Sequence, residues 1–342
     1  FGNDADGAFY AVGNAGTIVA YHDGTTWTKL SSGITEDLHD IAYGNGKLVA
    51  VGADGTILVS TNGEDWSLRP SGTTSTLRGI VYANDMFVAV GDNGTVLTSR
   101  NGSLWTPAES GTTGQINAVT YASGTNGSDG KFVAVGLDYT GMIMTSPDGQ
   151  TWTVKTNVTN FGLNGVAAGG GKIVAVGEFG TGAVSTDGEN WTVITVAFGT
   201  ELLDITFEDG KFIATGMGTG FSPINYSEDG VSWSTVSSTT IARYGVAYGN
   251  GWFVAVGHTG IAMSEDGKTW TNYSHPYFYS IAYGSGKYVA VGTSGAIYTS
   301  ENGTRWTKQV SGTTNGLNGI VFAGGLFVAV GNNGRSEAHT SE

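Results

Sequence analysis

Cysteine is absent from this chain, so neither a disulfide nor a thiolate-bound metal can hold it together. Proline is scarce, five in 342 residues, and no apolar run approaches the roughly 18 residues that cross a bilayer as a helix. Positive charge is also short. Fifteen lysines and arginines face 29 aspartates and glutamates, a net charge of −14. That field repels phosphate backbones and anionic lipid, so neither nucleic acid nor membrane insertion is expected. What the chain has in plenty is glycine, 57 residues, together with threonine, serine, valine and tyrosine. This composition favours strands and tight turns over helices.

The tryptophans set the organisation. Trp27, Trp66, Trp105, Trp152, Trp191, Trp233, Trp270 and Trp306 follow one another at intervals of 39, 39, 47, 39, 42, 37 and 36 residues, and Trp252 alone falls outside the series. A period near 40 with several short strands per unit predicts an all-β fold, a single β-propeller of four-stranded antiparallel blades that bury their faces only by stacking in a ring. Within a unit, strands A to D are expected to run outward from the axis. In the third, A is LRGIVYAN from Leu77, B is MFVAVG from Met86, C is GTVLTS from Gly94 and D begins at Trp105. The B segments are nearly continuous in apolar residues, as a strand covered on both faces requires. The glycines between B and C supply turn conformations and form no phosphate loop.

Between C and D the units repeat Ser-x-Asp/Asn-Gly-x-x-Trp: STNGEDW at 60, SRNGSLW at 99, SPDGQTW at 146, STDGENW at 185, SEDGVSW at 227, SEDGKTW at 264 and SENGTRW at 300. The first copy, YHDGTTW at 21, has tyrosine for serine. Asp or Asn before Gly makes a hairpin turn, and the indole returns to cover the blade edge. These heptads resemble the Asp-box, or bacterial neuraminidase, repeat of sialidases, xyloglucanases, sortilin-type receptors and photosystem II assembly factors, although the usual box is one residue longer. The wording around VAVGxxGTIxxSxDGxxWT is most similar to repeat regions of exported bacterial surface proteins. The resemblance implies a structural box on the face away from any binding site, and an extracellular or cell-surface setting. Phe1 in place of an initiator methionine fits a processed chain.

Eight blades are expected, closed by pairing 317–323 with the first B strand at 8–13, which removes exposed edges. Nine VAVG-like strands leave one B strand over, so a nine-bladed ring is the alternative. The propeller is taken as 1–334, with 335–342 as a tail or remnant, and the protein as a monomer.

Function is sought where the repeats differ. The second position of the A strands reads His39, Arg78, Asn117, Asn164, Leu203, Tyr244, Tyr279 and Asn318. A channel mouth lined by these residues offers donors, acceptors and aromatic faces that suit a sugar, while a solvated channel with no ligand gives the same variety. Longer B-to-C segments, from Gly136 to Ser146 and from Gly216 to Ser227, bring Asp138, Tyr139, Met217 and Phe221 beside Glu178 and Phe179, as a lip on one side of the top face. The segment SHPYFYS at 274 adds His275 and Tyr277, with Phe278 expected in the core. Trp252 stands where most units have lysine, as an exposed contact or a strand cap.

Catalytic chemistry finds little. A sialidase needs an arginine cluster, and only Arg78 and Arg243 fall near the top face. Asp40 and Asp204 share one A-strand position and form the candidate glycosidase pair, but they are expected on opposite blades, beyond the roughly 6.5 to 9.5 Å of inverting enzymes. Buried hydrogen-bonding staples are the competing reading. The five histidines show no ligand spacing, and NDADG at 3–7 lacks the later ligands of a calcium loop, so no metal or cofactor is expected. Three functions remain: a binding module for a glycan or cell-surface polymer, a rigid spacer or protein-interaction ring, and a polysaccharide-acting glycoside hydrolase.

Overall fold

The repeated strand pattern folds into eight antiparallel sheets arranged as the blades of one propeller. The computed structural model describes residues 8–21, 26–123, 130–218, 222–239, 242–258, 260–274, 276–323 and 327–329. Blade two shows the common plan: A strand Leu38–Gly44, B strand Lys47–Gly52, C strand Ile57–Ser60 and D strand Ser67–Leu68, hydrogen-bonded in that order. All but the first residue of its B strand are buried, because the strand is covered on both faces.

Eight clusters of buried side chains fill the eight spaces between neighbouring blades. Ala42, Val49, Val51 and Ile57 of blade two pack against Leu77, Ile80, Phe87 and Leu97 of blade three, for example. A cluster of Phe9, Ala11, Val19, Tyr21 and Trp27 with Val289, Val291 and Ile297 joins blade one to blade eight. No blade has a core of its own. At about 1.5 to 3 kcal/mol for each fully buried Val, Leu, Ile or Phe, these interfaces hold the ring together.

Closure follows the expected pairing. Strand Leu317–Ala323 becomes the A strand of blade one, antiparallel to Ala8–Gly13, with Phe9 opposite Phe322 and Ala11 opposite Ile320. The nine-bladed alternative is therefore set aside. The leftover B strand, Phe327–Ala329, pairs with the other edge of Leu317–Ala323 as a fifth strand, innermost in that sheet and beside the A strands of blades two and eight. The tail at 335–342 and the NDADG segment at 3–7 lie outside the described residues.

Each described heptad is wired alike. In blade two, Ser60 Oγ accepts the Gly63 N–H at 2.8 Å, Asn62 Oδ1 accepts those of Glu64 and Asp65 at 3.0 and 2.9 Å, and the Trp66 indole donates to the Gly63 carbonyl at 3.1 Å. Gly63 has φ +75°, and a Cβ there would collide with the Tyr10 hydroxyl of blade one. The heptad thus rests on the B strand of the preceding blade. In the first unit Tyr21 replaces serine and accepts a hydrogen bond from Lys287 of blade eight at 3.1 Å. That substitution serves ring closure; His22 of the same copy lies outside the described residues.

Two outcomes are expected from this wiring. Gly72 has φ +76°, and a Cβ added there would meet nothing within 4 Å, so Gly72→Ala should cost only the left-handed backbone term of about 1 to 2 kcal/mol. Gly63→Ala carries the same term plus the clash with Tyr10, and its loss in urea denaturation should be clearly larger. Asp229 accepts the backbone N–H groups of Ser232 and Val231, which hold its carboxyl down at about 2 against an ordinary value of 3.8. A folded-state value below the unfolded one means stability that is present above pH 3.8 and lost as pH falls toward 2. Asp229→Asn, which reproduces the Asn62 heptad, should fold at neutral pH and lose less melting temperature than the parent between pH 7 and about 3.

Candidate functional site

The varied A-strand position is a β-bulge in every blade. Register between A and B slips at His39, Arg78, Asn117, Asn164, Leu203, Tyr244 and Tyr279, and blade one slips at the equivalent point, where Asn318 falls between Leu317 and Gly319. A bulged residue has no partner in the ladder, so its side chain is released from the strand's alternation. This explains why the position accepts side chains as different as His39, Leu203 and Tyr244. The D-to-A and B-to-C connections lie on the same side of the blades as the bulges; the heptads lie on the other.

The eight bulges have different tasks. The amides of Asn117, Asn164 and Asn318 are buried, and each donates to the carbonyl of the leucine just before the bulge in the following blade: Leu163 at 2.8 Å, Leu202 at 3.0 Å and Leu38 at 3.3 Å. They staple blades together around the axis. Arg78 turns to the B-to-C turn of its own blade, where its Nε lies 2.5 Å from Asp92 Oδ1. His39 is held below the usual imidazole value by burial and by the Arg78 charge, and Leu203 is buried.

Tyr244 and Tyr279 are half-buried and form a cluster with Tyr277. The rings of Tyr244 and Tyr277 stack at 5.4 Å with 14° between planes, and Tyr277 donates a 2.8 Å hydrogen bond to the Tyr244 hydroxyl. Tyr279 stands 5.0 Å from Tyr277, and the exposed His258 packs edge-on against Tyr277 at 4.6 Å. Burial raises both hydroxyls above the ordinary tyrosine value, Tyr277 also through its bond to Tyr244 and Tyr279 also through Tyr277. Gly316 approaches both Tyr279 and the exposed Asn14, which accepts from Asn318 at 2.6 Å. One side of the mouth, over blades seven, eight and one, is therefore aromatic and polar together.

Asp40 and Asp204 sit one residue beyond the bulges of blades two and six. Asp40 is fully buried: one oxygen accepts the Ile41 N–H and the other the Ile80 N–H of blade three at 2.7 Å, while burial pushes its carboxyl well above the carboxylate range. Asp204 accepts the Ile205 N–H at 2.9 Å. Arg243 occupies a core position filled by leucine in most blades. It is completely buried and donates to the Gly260 carbonyl at 2.9 Å and to Asn272 Oδ1 at 2.7 Å, with burial lowering it to about 10. It faces its own blade's interior and does not reach the top surface.

The longer B-to-C segment of blade four is described throughout, whereas 219–221 of the blade-six segment lie outside the described residues. In blade four the B and C strands extend to Lys131–Asp138 and Thr140–Ser146, with Tyr139 at the tip, 98% exposed. Phe179 is 60% exposed and its ring meets that of Phe161 at 4.5 Å with 37° between planes, while Glu178 accepts the Gly162 N–H at 3.1 Å. Phe161, Phe198 and His258 were not singled out by sequence, although Phe-Gly in place of Ser-Gly-Thr-Thr at 161 and 198 was the available signal. Met217 ends up half-buried near the end of blade six's B strand; Phe221 and His275 lie outside the described residues. Phe278 is core, and Trp252 is half-buried against the blade seven to eight cluster, accepting a hydrogen bond at its carbonyl from Tyr288, which makes it a strand cap.

Two open grooves lie away from the mouth. One of about 860 Å³ follows the connection Arg69–Thr74 beside the turn at Asp54, and one of about 530 Å³ follows the equivalent connection near Ser294. Both arise from the repeat geometry. No described helix is long and apolar enough to cross a membrane.

No known family profile and no curated protein sequence matches the chain. Solved structures do. The chain is similar to apo AztD from Citrobacter koseri, at 12% identity over 96% of this chain and 99% of that one, with a TM-score of 0.64. It is similar to Saccharomyces cerevisiae Sqt1, at 10% identity over 84% and 93%, with a TM-score of 0.65. YCF48 bound to D1 peptide matches at 15% identity over 75% and 88%, with a TM-score of 0.55. At these identities the likeness shows the fold: an eight-bladed β-propeller with propeller neighbours.

Proposed function

We propose that the protein is a non-catalytic binding module that takes a glycan or surface polymer at the tyrosine cluster of its top face, outside the cell or at its surface. The observation that carries this reading is the grouping of Tyr244, Tyr277 and Tyr279 with His258 at the channel mouth. Tyrosine offers an apolar ring face to sugar C–H groups and a hydroxyl to their oxygens. The Tyr244 hydroxyl, having accepted from Tyr277, has a proton to give. Asn14 adds an amide on the adjoining rim. The resemblance of the repeats to exported surface proteins supports the location.

The hydrolase reading gains nothing from the site, since both oxygens of Asp40 are occupied by backbone amides. Asp40→Ala should lower stability by about 1 to 3 kcal/mol, because the Ile80 amide is left without its acceptor, and the folded fraction should bind sugars unchanged.

The direct test is a glycan and polysaccharide array probed with the parent, Tyr277→Ala and Tyr279→Ala. Saturable binding that falls at least tenfold in each variant, and that persists into mildly alkaline pH because both hydroxyls stay protonated, is the expected result. Silence across the array, or binding indifferent to both tyrosines, rejects the reading.

A further inference from the structure

Nine large hydrophobic side chains are strongly exposed among the described residues, and the four aromatic ones are neighbours. Tyr139, Phe161, Phe179 and Phe198 are 98%, 38%, 60% and 88% exposed, and all belong to consecutive top-face connections of blades four to six. Their connections lie side by side as a ridge. The Phe161 and Phe179 rings meet at 4.5 Å with 37° between planes, the Gly199 N–H donates to the Phe179 carbonyl at 3.3 Å, and Gly141, two residues from Tyr139, abuts the Phe161 carbonyl. Exposed aromatics gathered on adjoining connections mark an interaction surface where a scatter of single residues would not.

Backbone conformation adds an independent sign. The middle residue of the B-to-C turn is left-handed in five blades, at φ 50° for Ala15, 53° for Asp54, 56° for Asn93, 55° for Phe179 and 54° for Ser294. Small polar residues tolerate that region, and a bulky aromatic does not. Tyr139 is also left-handed, at φ 62°, and these two are the aromatic residues with positive φ among the described residues. Both are therefore displayed to solvent at a conformational cost that the fold does not require, as happens at functional surfaces.

Charge decides the occupant. The ridge is edged by Asp138, Glu178 and Glu201, and the connections that form it, 137–141, 159–162, 178–181 and 196–201, contain no lysine, arginine or histidine. We propose that this ridge is a docking surface for a protein segment that presents apolar or aromatic side chains flanked by lysine or arginine. It lies across the mouth from the tyrosine cluster and does not depend on sugar binding there.

The test uses the whole protein and four sets of synthetic 12-residue peptides: aromatic and basic, aromatic and acidic, aromatic and neutral, and basic without apolar residues. The aromatic and basic set should bind saturably, weaken with salt, and lose at least tenfold in affinity to Phe179→Asn and to Phe198→Ser, while Glu201→Lys weakens it less and Tyr279→Ala leaves it unchanged. Phe179→Asn copies blade three, so its melting temperature should hold or rise. The proposal is overturned by absence of binding, by equal binding of the acidic set, or by binding insensitive to both phenylalanine changes. A marked fall in melting temperature of Phe179→Asn would make the residue a structural plug and overturn it too. Sedimentation showing a dimer that Phe179→Asn dissociates would assign the ridge to a second copy of this chain instead.

Discussion

Everything in this molecule depends on apolar contact between neighbouring blades. A four-stranded sheet with a B strand apolar on both faces has no interior until a second sheet covers it and a third covers the other side. The heptad adds direction to that contact. Its glycine, free of a Cβ, lets the turn settle on the preceding blade's B strand, and its indole and hydroxyl complete the turn's own hydrogen bonds. With no cysteine to fall back on, repetition of this one joint is what makes the ring.

Because the scaffold is so uniform, departures from it are informative, and the structure sorts them into two kinds. Some serve the ring itself: Tyr21 receives Lys287 across the closing seam, Arg243 fills a leucine's place inside blade seven, and the buried asparagines bind one A strand to the next. Others gather aromatic side chains at the top face, outside the apolar clusters that join the blades. Tyrosines gather over blades seven and eight, and phenylalanines over blades five and six, so the top face is chemically two-sided although its backbone is nearly eightfold.

Sequence made the fold legible because each signal was repeated. The spacing of Trp66, Trp105 and their fellows gave the unit, and the match between 317–323 and the other A strands gave the closing pair. The site was legible only as a position. That the second A-strand position varies was visible, but the bulge that frees it was not, since A strands buried on both faces carry little alternation from which a one-residue slip could be read. Nor could spacing show that Asn117 and Asn318 point into the next blade while Tyr279 joins a cluster; direction at a bulge is decided by what the adjoining strand offers. Phe161 and Phe198 sit in connections of ordinary length that differ from their siblings in residue type alone, a weaker signal than an insertion.

The pairing of Ala8–Gly13 with Leu317–Ala323 brings together segments about three hundred residues apart. In an open solenoid each repeat answers to its neighbours alone, and fraying at one end leaves the middle standing. Here the seam couples the two ends of that series, so the loss of one strand would expose both flanking interfaces and pass the disturbance around the circle in either direction. The seam turns a linear sum of local equilibria into one cooperative unit, and it holds the tyrosine side and the phenylalanine side of the top surface in fixed relation to each other.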